Sequence, residues 1–121
     1  MRSCLLVALA LFTLGCSEQP AAQDENAPVK ISTSQMYVTV RNDSGAPLSE
    51  VTVAIVPVGR QTIYNKFIGR LDNSESRNVM LGEFLGRDGT PFSLRVVKAR
   101  SVEVKGKDVK GKDYMTEVPW R

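Results

Sequence analysis

The sequence predicts an all-β fold, an antiparallel β-sandwich of about seven short strands within residues 31–121. Two observations lead to this prediction. Several short runs alternate between apolar and polar side chains, which is the pattern of strands that bury one face. Turn-forming residues separate these runs about every ten positions, a spacing typical of sandwiches.

The first two predicted strands flank a pronounced turn signal. Every second side chain of residues 36–41 is apolar, which predicts a half-buried strand. Residues 42–47 then contain Asn, Asp, Ser, Gly and Pro, all of which favour turns. Residues 49–56 carry apolar side chains on both faces, so we expect a central strand that ends at Pro57.

The next segment, residues 62–71, fits two patterns. Its apolar residues fall at helical spacing, but Gly69 lies inside the run and no capping residue is well placed. We therefore predict a strand there and another at residues 75–81. Residues 82–86 are predicted to form one helical turn whose Phe84 closes the end of the core.

Three more strands are predicted after a turn at Asp88 and Gly89. Their alternating residues are Phe92, Leu94 and Val96 in the first, Val102 and Val104 in the second, and Tyr114, Thr116 and Val118 in the third. Polar residues at the intervening positions would cover the outer faces of the sheets.

A tandem repeat lies between the last two predicted strands. Val-Lys-Gly-Lys-Asp occurs at residues 104–108 and again at residues 109–113. Because five is an odd number, Val104 and Val109 would face opposite sides of one continuous strand. The repeat therefore predicts a hairpin or a bulge with one of its glycines at the bend.

The first sixteen residues have the organisation of an export signal. A cation at Arg2 precedes an uncharged apolar run, and a helix of about a dozen residues is too short to cross a bilayer. The sequence Thr13-Leu14-Gly15-Cys16 resembles the bacterial lipobox. That resemblance implies removal of a signal peptide at residues 1–15 and acylation of Cys16, which includes palmitate. Ser17 at the following position implies the outer membrane, with the domain facing the periplasm.

Residues 16–30 are predicted to be the lipidated cysteine followed by a flexible linker. Residues 17–30 have two prolines, several acidic residues and no apolar periodicity. Cys4 would leave with the signal peptide and Cys16 would carry lipid, so no cysteine would remain for a disulfide. The domain is therefore expected to be stabilised by packing alone.

Residues 38–53 resemble the opening hairpin of bacterial immunoglobulin-like or fibronectin-type-III-like modules, which have two valine-rich strands around an Asn/Gly turn. Transthyretin-like sandwiches open in much the same way and are the alternative topology. The resemblance implies a fold and no particular activity, because such sandwiches carry unrelated functions.

The composition argues against catalysis and metal binding. The chain contains no histidine, which is the usual general base and the commonest metal ligand. Asp72 and Glu75 flank a predicted turn and are expected to be solvated. We therefore predict no catalytic residues, no metal site and no cofactor, with a carboxylate enzyme using Asp72, Glu75 or Asp88 as the weakest alternative.

Positive charge is concentrated late in the chain. From Arg95 onward there are eight Lys and Arg residues against four acidic residues, and the whole chain has a formal charge of +3. The lysines of the repeat, together with the loop at residues 42–47, are the candidate anion-binding or partner-binding surface: Lys105, Lys107, Lys110 and Lys112. Trp120 is either a lid on the core or an exposed anchor.

These observations predict a membrane-anchored envelope lipoprotein, held in membrane lipid through acylated Cys16. Its expected role is non-enzymatic binding, structural support or assembly, with an envelope protein as the expected partner. The alternative is an anion-binding or glycolipid-binding accessory protein that uses the basic C-terminal face. Nucleic acid is not expected, because no aromatic residues are interleaved with the lysines.

Overall fold

The computed structural model describes residues 27–59 and 62–121. The predicted signal peptide, Cys16 and the linker up to residue 26 lie outside the described residues. Seven strands and one short 3-10 helix (Leu81–Glu83) form the described part of the chain. The strands are β1 (Val29–Thr33), β2 (Tyr37–Asn42), β3 (Leu48–Pro57), β4 (Tyr64–Leu71), β5 (Ser76–Met80), β6 (Ala99–Lys107) and β7 (Asp113–Pro119).

The strands form two antiparallel sheets, which confirms the all-β sandwich. One sheet has the order β1-β2-β5 and the other has the order β4-β3-β6-β7. The connectivity is immunoglobulin-like with one change: β4 pairs with β3, whereas the constant-type arrangement places the fourth strand beside the fifth. The chain therefore changes sheet between β2 and β3, between β4 and β5, and between β5 and β6.

The core lies between the two sheets and is built mainly from valine. Val38 and Val40 face Val53, Ile55 and their neighbours across it, and all four are fully buried. β3 is buried on both faces, since Ala54 and Val56 on its outer face are also inaccessible. This confirms its prediction as the central strand. Each fully buried valine contributes about 1.5–3 kcal/mol of hydrophobic stabilisation.

Two further predictions are confirmed near the end of the core. Residues 64–71 form strand β4, and Gly69 takes a φ of +78° at an irregularity opposite Val51, a conformation that few other residues tolerate. Phe84 is fully buried as predicted, but the helical turn expected at residues 82–86 is a 3-10 helix at Leu81–Glu83, and Phe84 follows it in an extended conformation.

The same loop covers one edge of the four-stranded sheet. The backbone N–H of Asn65 donates to the Leu85 carbonyl at 2.9 Å, and the Leu85 N–H donates back to Asn65 at 3.0 Å. A short stretch of chain outside the sheet thus pairs with β4 at its start.

The structure corrects the boundary between linker and domain. Val29 and Lys30, which were assigned to the linker, begin strand β1. Val29 is fully buried and pairs with Asn42, and Ile31 pairs with Val40. The burial of these two side chains makes the strand part of the core, although only five residues form it.

The predicted strand at residues 92–96 is wrong. Phe92 points into the core, but Leu94 and Val96 are exposed, Val96 to 83%. The N–H groups of Val96 and Val97 both donate to the Ser93 carbonyl, at 3.1 and 2.9 Å, so the chain turns immediately after Phe92. The described residues still form seven strands, the number predicted, because β1 adds one strand that was not predicted and residues 92–96 form none.

The hairpin predicted from the tandem repeat is present between β6 and β7. Residues 108–112 form its turn, and Gly111 has a φ of +81° at the bend. Gly106, the glycine of the first repeat, lies within β6 instead. There a Cβ atom would come within 3.1 Å of Val51 Cγ2, so this glycine allows close approach of β6 to β3.

Candidate functional site

The loops of the sandwich are divided between two ends. We call the end at which the described chain begins the entry end; it comprises residues 27–28, the β2–β3 loop (43–47), the β4–β5 turn (72–75) and the β6–β7 hairpin turn (108–112). The far end carries the remaining loops and the last residues, 119–121. Because all strands run between the two ends, each candidate residue belongs to one of them or to a sheet face.

A cleft of about 430 Å³, which we call the entry groove, lies between the β2–β3 loop and the β6–β7 hairpin. Its lining residues are Pro28, Ser44, Ala46, Pro47, Leu48, Asp108, Val109, Lys110, Lys112, Asp113 and Tyr114. The structure thus brings together the loop and the lysine repeat that the sequence singled out separately. The lining is mostly apolar and also includes two lysines and two carboxylates.

The β2–β3 wall of the groove is fixed by a buried asparagine. The side-chain amide of Asn42 donates to the carbonyl oxygens of Ala46 at 2.8 Å and Leu71 at 2.9 Å. Its side-chain oxygen accepts the Ser44 N–H at 2.9 Å. Asn42 is fully buried, and these bonds tie the loop to the end of β4.

The hairpin wall is organised by Asp108. Its carboxylate accepts the backbone N–H groups of Lys110 and Lys112, both at 2.9 Å, and its own N–H donates to the Lys112 carbonyl at 2.9 Å. The hydrogen bond from the Lys112 N–H is the main reason that the pKa of Asp108 lies below its ordinary value. The nearby ammonium groups of both lysines act in the same direction. The turn is therefore preorganised around a charged carboxylate.

The four predicted lysines have different surroundings. Lys107 Nζ lies 2.8 Å from Asp113 Oδ1, which raises the pKa of Lys107, and Lys105 Nζ lies 3.7 Å from Glu103 Oε1. Both lie on β6 outside the lining of the entry groove. Lys110 and Lys112 line the groove, and neither forms a salt bridge within the described residues. The groove therefore presents two exposed cations.

The other carboxylates of the entry end are neutralised by neighbouring cations. Asp43 contacts Arg41 Nε at 2.8 Å and Lys30 Nζ at 3.5 Å. Asp72 pairs with Arg70, and Glu75 pairs with Arg77 at 2.9 Å. Lys110 and Lys112 in the hairpin turn are therefore the cations of these loops that lack a salt bridge among the described residues.

Two of the carboxylates considered for catalysis, Glu75 and Asp88, have pKa values shifted in the direction opposite to that of a general acid. The Asp72 N–H donates to Glu75 at 2.8 Å, and this bond, followed by the contact with Arg77, lowers the pKa of Glu75. Hydrogen bonds from Thr90 lower the pKa of Asp88, which lies in an open cavity of about 460 Å³ beside Tyr64. A general acid at neutral pH needs a raised pKa.

A second apolar and basic surface occupies the far end; the sequence placed its cations in the basic C-terminal stretch but did not join them to exposed apolar residues. It borders a shallow cleft of about 460 Å³ and includes Leu94, Arg95, Val96 and Lys98. Trp120 lines the same cleft, and its ring lies 6.3 Å from that of Phe92, so it packs at the margin of the core as a lid. This surface was missed because residues 92–96 were assigned to a strand.

Within the described residues, no group of three or more Asp, Glu, His or Cys side chains is arranged to bind a metal ion. None of the described helical segments has the length and apolarity needed to cross a membrane. No protein-family model, curated protein or solved structure matches the chain.

Proposed function

We propose that the protein is a non-enzymatic lipoprotein of the cell envelope that binds another envelope component in the entry groove. In this proposal, acylated Cys16 anchors the chain in the outer membrane, and the sandwich faces the periplasm. The observation that carries the proposal is the joining of the 43–47 loop and the Lys110–Lys112 hairpin in one groove beside the point where the chain enters the domain.

The lining of the groove supports binding rather than catalysis. Leu48, Pro47 and Tyr114 offer apolar contact, while Lys110 and Lys112 offer exposed positive charge. Such a mixture suits a ligand that carries both an apolar group and a negative charge. Both walls are held by hydrogen bonds within the chain, so little ordering would oppose binding.

The anchoring part of the proposal is tested at the N-terminus. Mass spectrometry of the native protein should find a chain that begins at an acylated Cys16, and Cys16→Ala should release the protein from the membrane fraction. A native chain that begins at Met1, or an unmodified Cys16, would contradict the anchor.

The binding part is tested by blocking the groove. Ala46→Phe should fill the cleft and reduce crosslinked complexes recovered from intact cells, whereas Ser32→Phe, on an exposed position of β1, should leave them unchanged. Equal recovery from both variants, with both folded by circular dichroism, would refute binding in the groove.

A further inference from the structure

We infer that the component recognised at the entry groove is the anionic phospholipid surface of the membrane that holds Cys16. In this arrangement Val109 lies among the headgroups, and Lys110 and Lys112 contact their phosphates. The inference rests on the proposed anchoring and names the ligand of the same site, in place of the envelope protein expected from the sequence.

The hairpin tip has the composition of a surface that meets a bilayer interface. Val109 is 66% exposed within the turn formed by residues 108–112. Lys110 follows it directly, and Lys112 lies two positions further on. Apolar side chains that enter the headgroup region are characteristically flanked by cations that remain at the phosphate level.

The charge at this end is available to an external anion. Asp43, Asp72, Glu75 and Asp113 are each paired with a cation, and the Asp108 carboxylate accepts the backbone N–H groups of Lys110 and Lys112 and also interacts electrostatically with their ammonium groups. Lys110 and Lys112 have no such salt bridge within the described residues. Each lysine near an anionic bilayer strengthens association about fivefold, and salt screens the effect.

The covalent path places this tip close to the membrane. Residues 17–26 separate Cys16 from Ala27, and a segment of that length spans at most about 35 Å. Pro28 itself lines the groove, so the groove lies where the chain coming from the anchor joins the domain. The far end is separated from it by the length of β3, about 33 Å for its ten residues.

The far end provides a matched control. Its surface also combines exposed valine with two cations, Val96 with Arg95 and Lys98, but lies at the opposite end of the strands. From composition alone, both surfaces would be expected to contact the membrane equally. The position of the anchor favours the hairpin, because contact of the far end with the same membrane would require an almost fully extended tether.

The test uses the purified mature lipoprotein reconstituted in two kinds of vesicle, phosphatidylcholine alone and phosphatidylcholine mixed with phosphatidylglycerol. Spin labels are attached at Val109→Cys or, as the control, at Val96→Cys. Acylated Cys16 has no free thiol, so each label has one site. Collision rates of the label with oxygen and with a water-soluble nickel chelate report its depth.

The label at position 109 should become protected from the nickel chelate in the anionic vesicles, and added salt or Lys110→Gln with Lys112→Gln should reverse the protection. The label at position 96 should stay in water, and Arg95→Gln with Lys98→Gln should change nothing. A label at position 109 that remains equally water-accessible in both vesicles would overturn the inference while leaving the anchor intact. Photocrosslinking from position 109 in cells that yields protein adducts and no lipid adducts would also overturn it.

A separate measurement distinguishes failure of the anchor from failure of lipid docking. If mass spectrometry finds an unmodified Cys16, the Val109→Cys chain that also carries Cys4→Ser and Cys16→Ser, and so has a single thiol, is labelled and titrated with the same anionic vesicles. Salt-sensitive protection would then support lipid docking without the anchor, and its absence would refute docking as well.

Discussion

The buried amide of Asn42 donates a hydrogen bond to the carbonyl oxygen of Leu71 across 2.9 Å, and this bond joins the two sheets at the entry end. Asn42 ends β2 in the three-stranded sheet, whereas Leu71 ends β4 in the four-stranded sheet. The same side chain holds the loop that forms one wall of the entry groove. One residue therefore couples stability to the shape of the candidate site.

Asn42→Ala should destabilise the domain by about 2–4 kcal/mol, because it leaves buried carbonyl groups without partners. Urea unfolding monitored by Trp120 fluorescence measures the loss. Asn78→Ala is the control, since Asn78 is exposed on β5 and bonds only to Thr39 among the described contacts. Equal effects from the two substitutions would show that Asn42 does not join the sheets.

The two glycines of the repeat should respond differently to alanine. At Gly106, a new Cβ would meet Val51 Cγ2 at 3.1 Å and the Ser49 carbonyl at 3.2 Å, so β6 must move away from β3 at a cost of about 1–3 kcal/mol. At Gly111 there is open space, but the φ of +81° makes alanine unfavourable by about 1 kcal/mol.

Gly82→Ala is the control for both variants, because nothing lies within 4 Å and its φ is not positive. Denaturant midpoints should rank Gly82→Ala as neutral and Gly106→Ala as destabilised. A neutral Gly106→Ala would contradict the close approach of β6 to β3.

Acid should weaken the hairpin through Asp108. Its folded-state pKa is lowered from the reference value of 3.8, so its contribution to stability is complete above that value and is lost as pH falls through the lower folded-state pKa. Carbon NMR titration of the Asp108 carboxyl should give a midpoint below 3.8.

Asp108→Asn should reduce the acid-induced loss of stability. It should also speed amide exchange at Lys110 and Lys112, because a neutral amide oxygen accepts their N–H groups less strongly than the Asp108 carboxylate does. Exchange at the Thr90 amide, which bonds to Asp88, serves as the internal reference. Unchanged exchange at Lys110 and Lys112 would show that Asp108 does not organise the turn.

Removal of the aromatic ring of Phe84 should be among the most damaging changes. Phe84 is fully buried, so Phe84→Ala should cost about 3–5 kcal/mol through lost burial and a cavity. Phe67→Ala removes the same ring from a position that is 64% exposed and should cost less than about 1 kcal/mol. Similar denaturant midpoints for the two variants would contradict the placement of Phe84 in the core.

Much of the fold follows from local patterns in the sequence. The two-sided apolar run of β3 predicts a central strand, and the odd period of the repeat predicts the hairpin, because both signals come from residues that contact near neighbours. Strand β1 was missed because its apolar residues, Val29 and Ile31, follow a proline-rich stretch and become a strand only by pairing with β2. The alternation from Phe92 to Val96 was misleading because hydrogen bonds to the Ser93 carbonyl turn the chain there.

The sequence predicted the loop and the lysine repeat of the candidate site separately, but it could not predict that the two lie together. The 42–47 loop and the lysine repeat are about sixty residues apart, and they meet because β3, which follows the loop, pairs with β6, which leads into the hairpin. The pairing of Lys107 with Asp113 across the hairpin depends on the β6–β7 register. The sequence therefore singled out two lysines that line the groove, Lys110 and Lys112, along with two that lie outside it, Lys105 and Lys107.

The backbone pairing between Asn65 and Leu85 has a consequence for crowding. An open strand edge can recruit the edge of a neighbouring molecule, and confinement to two dimensions by the proposed lipid anchor would bring such edges together often. Because the loop at Leu85 already occupies hydrogen-bonding groups at the start of β4, fewer backbone groups on that edge are open for pairing with a strand of another molecule.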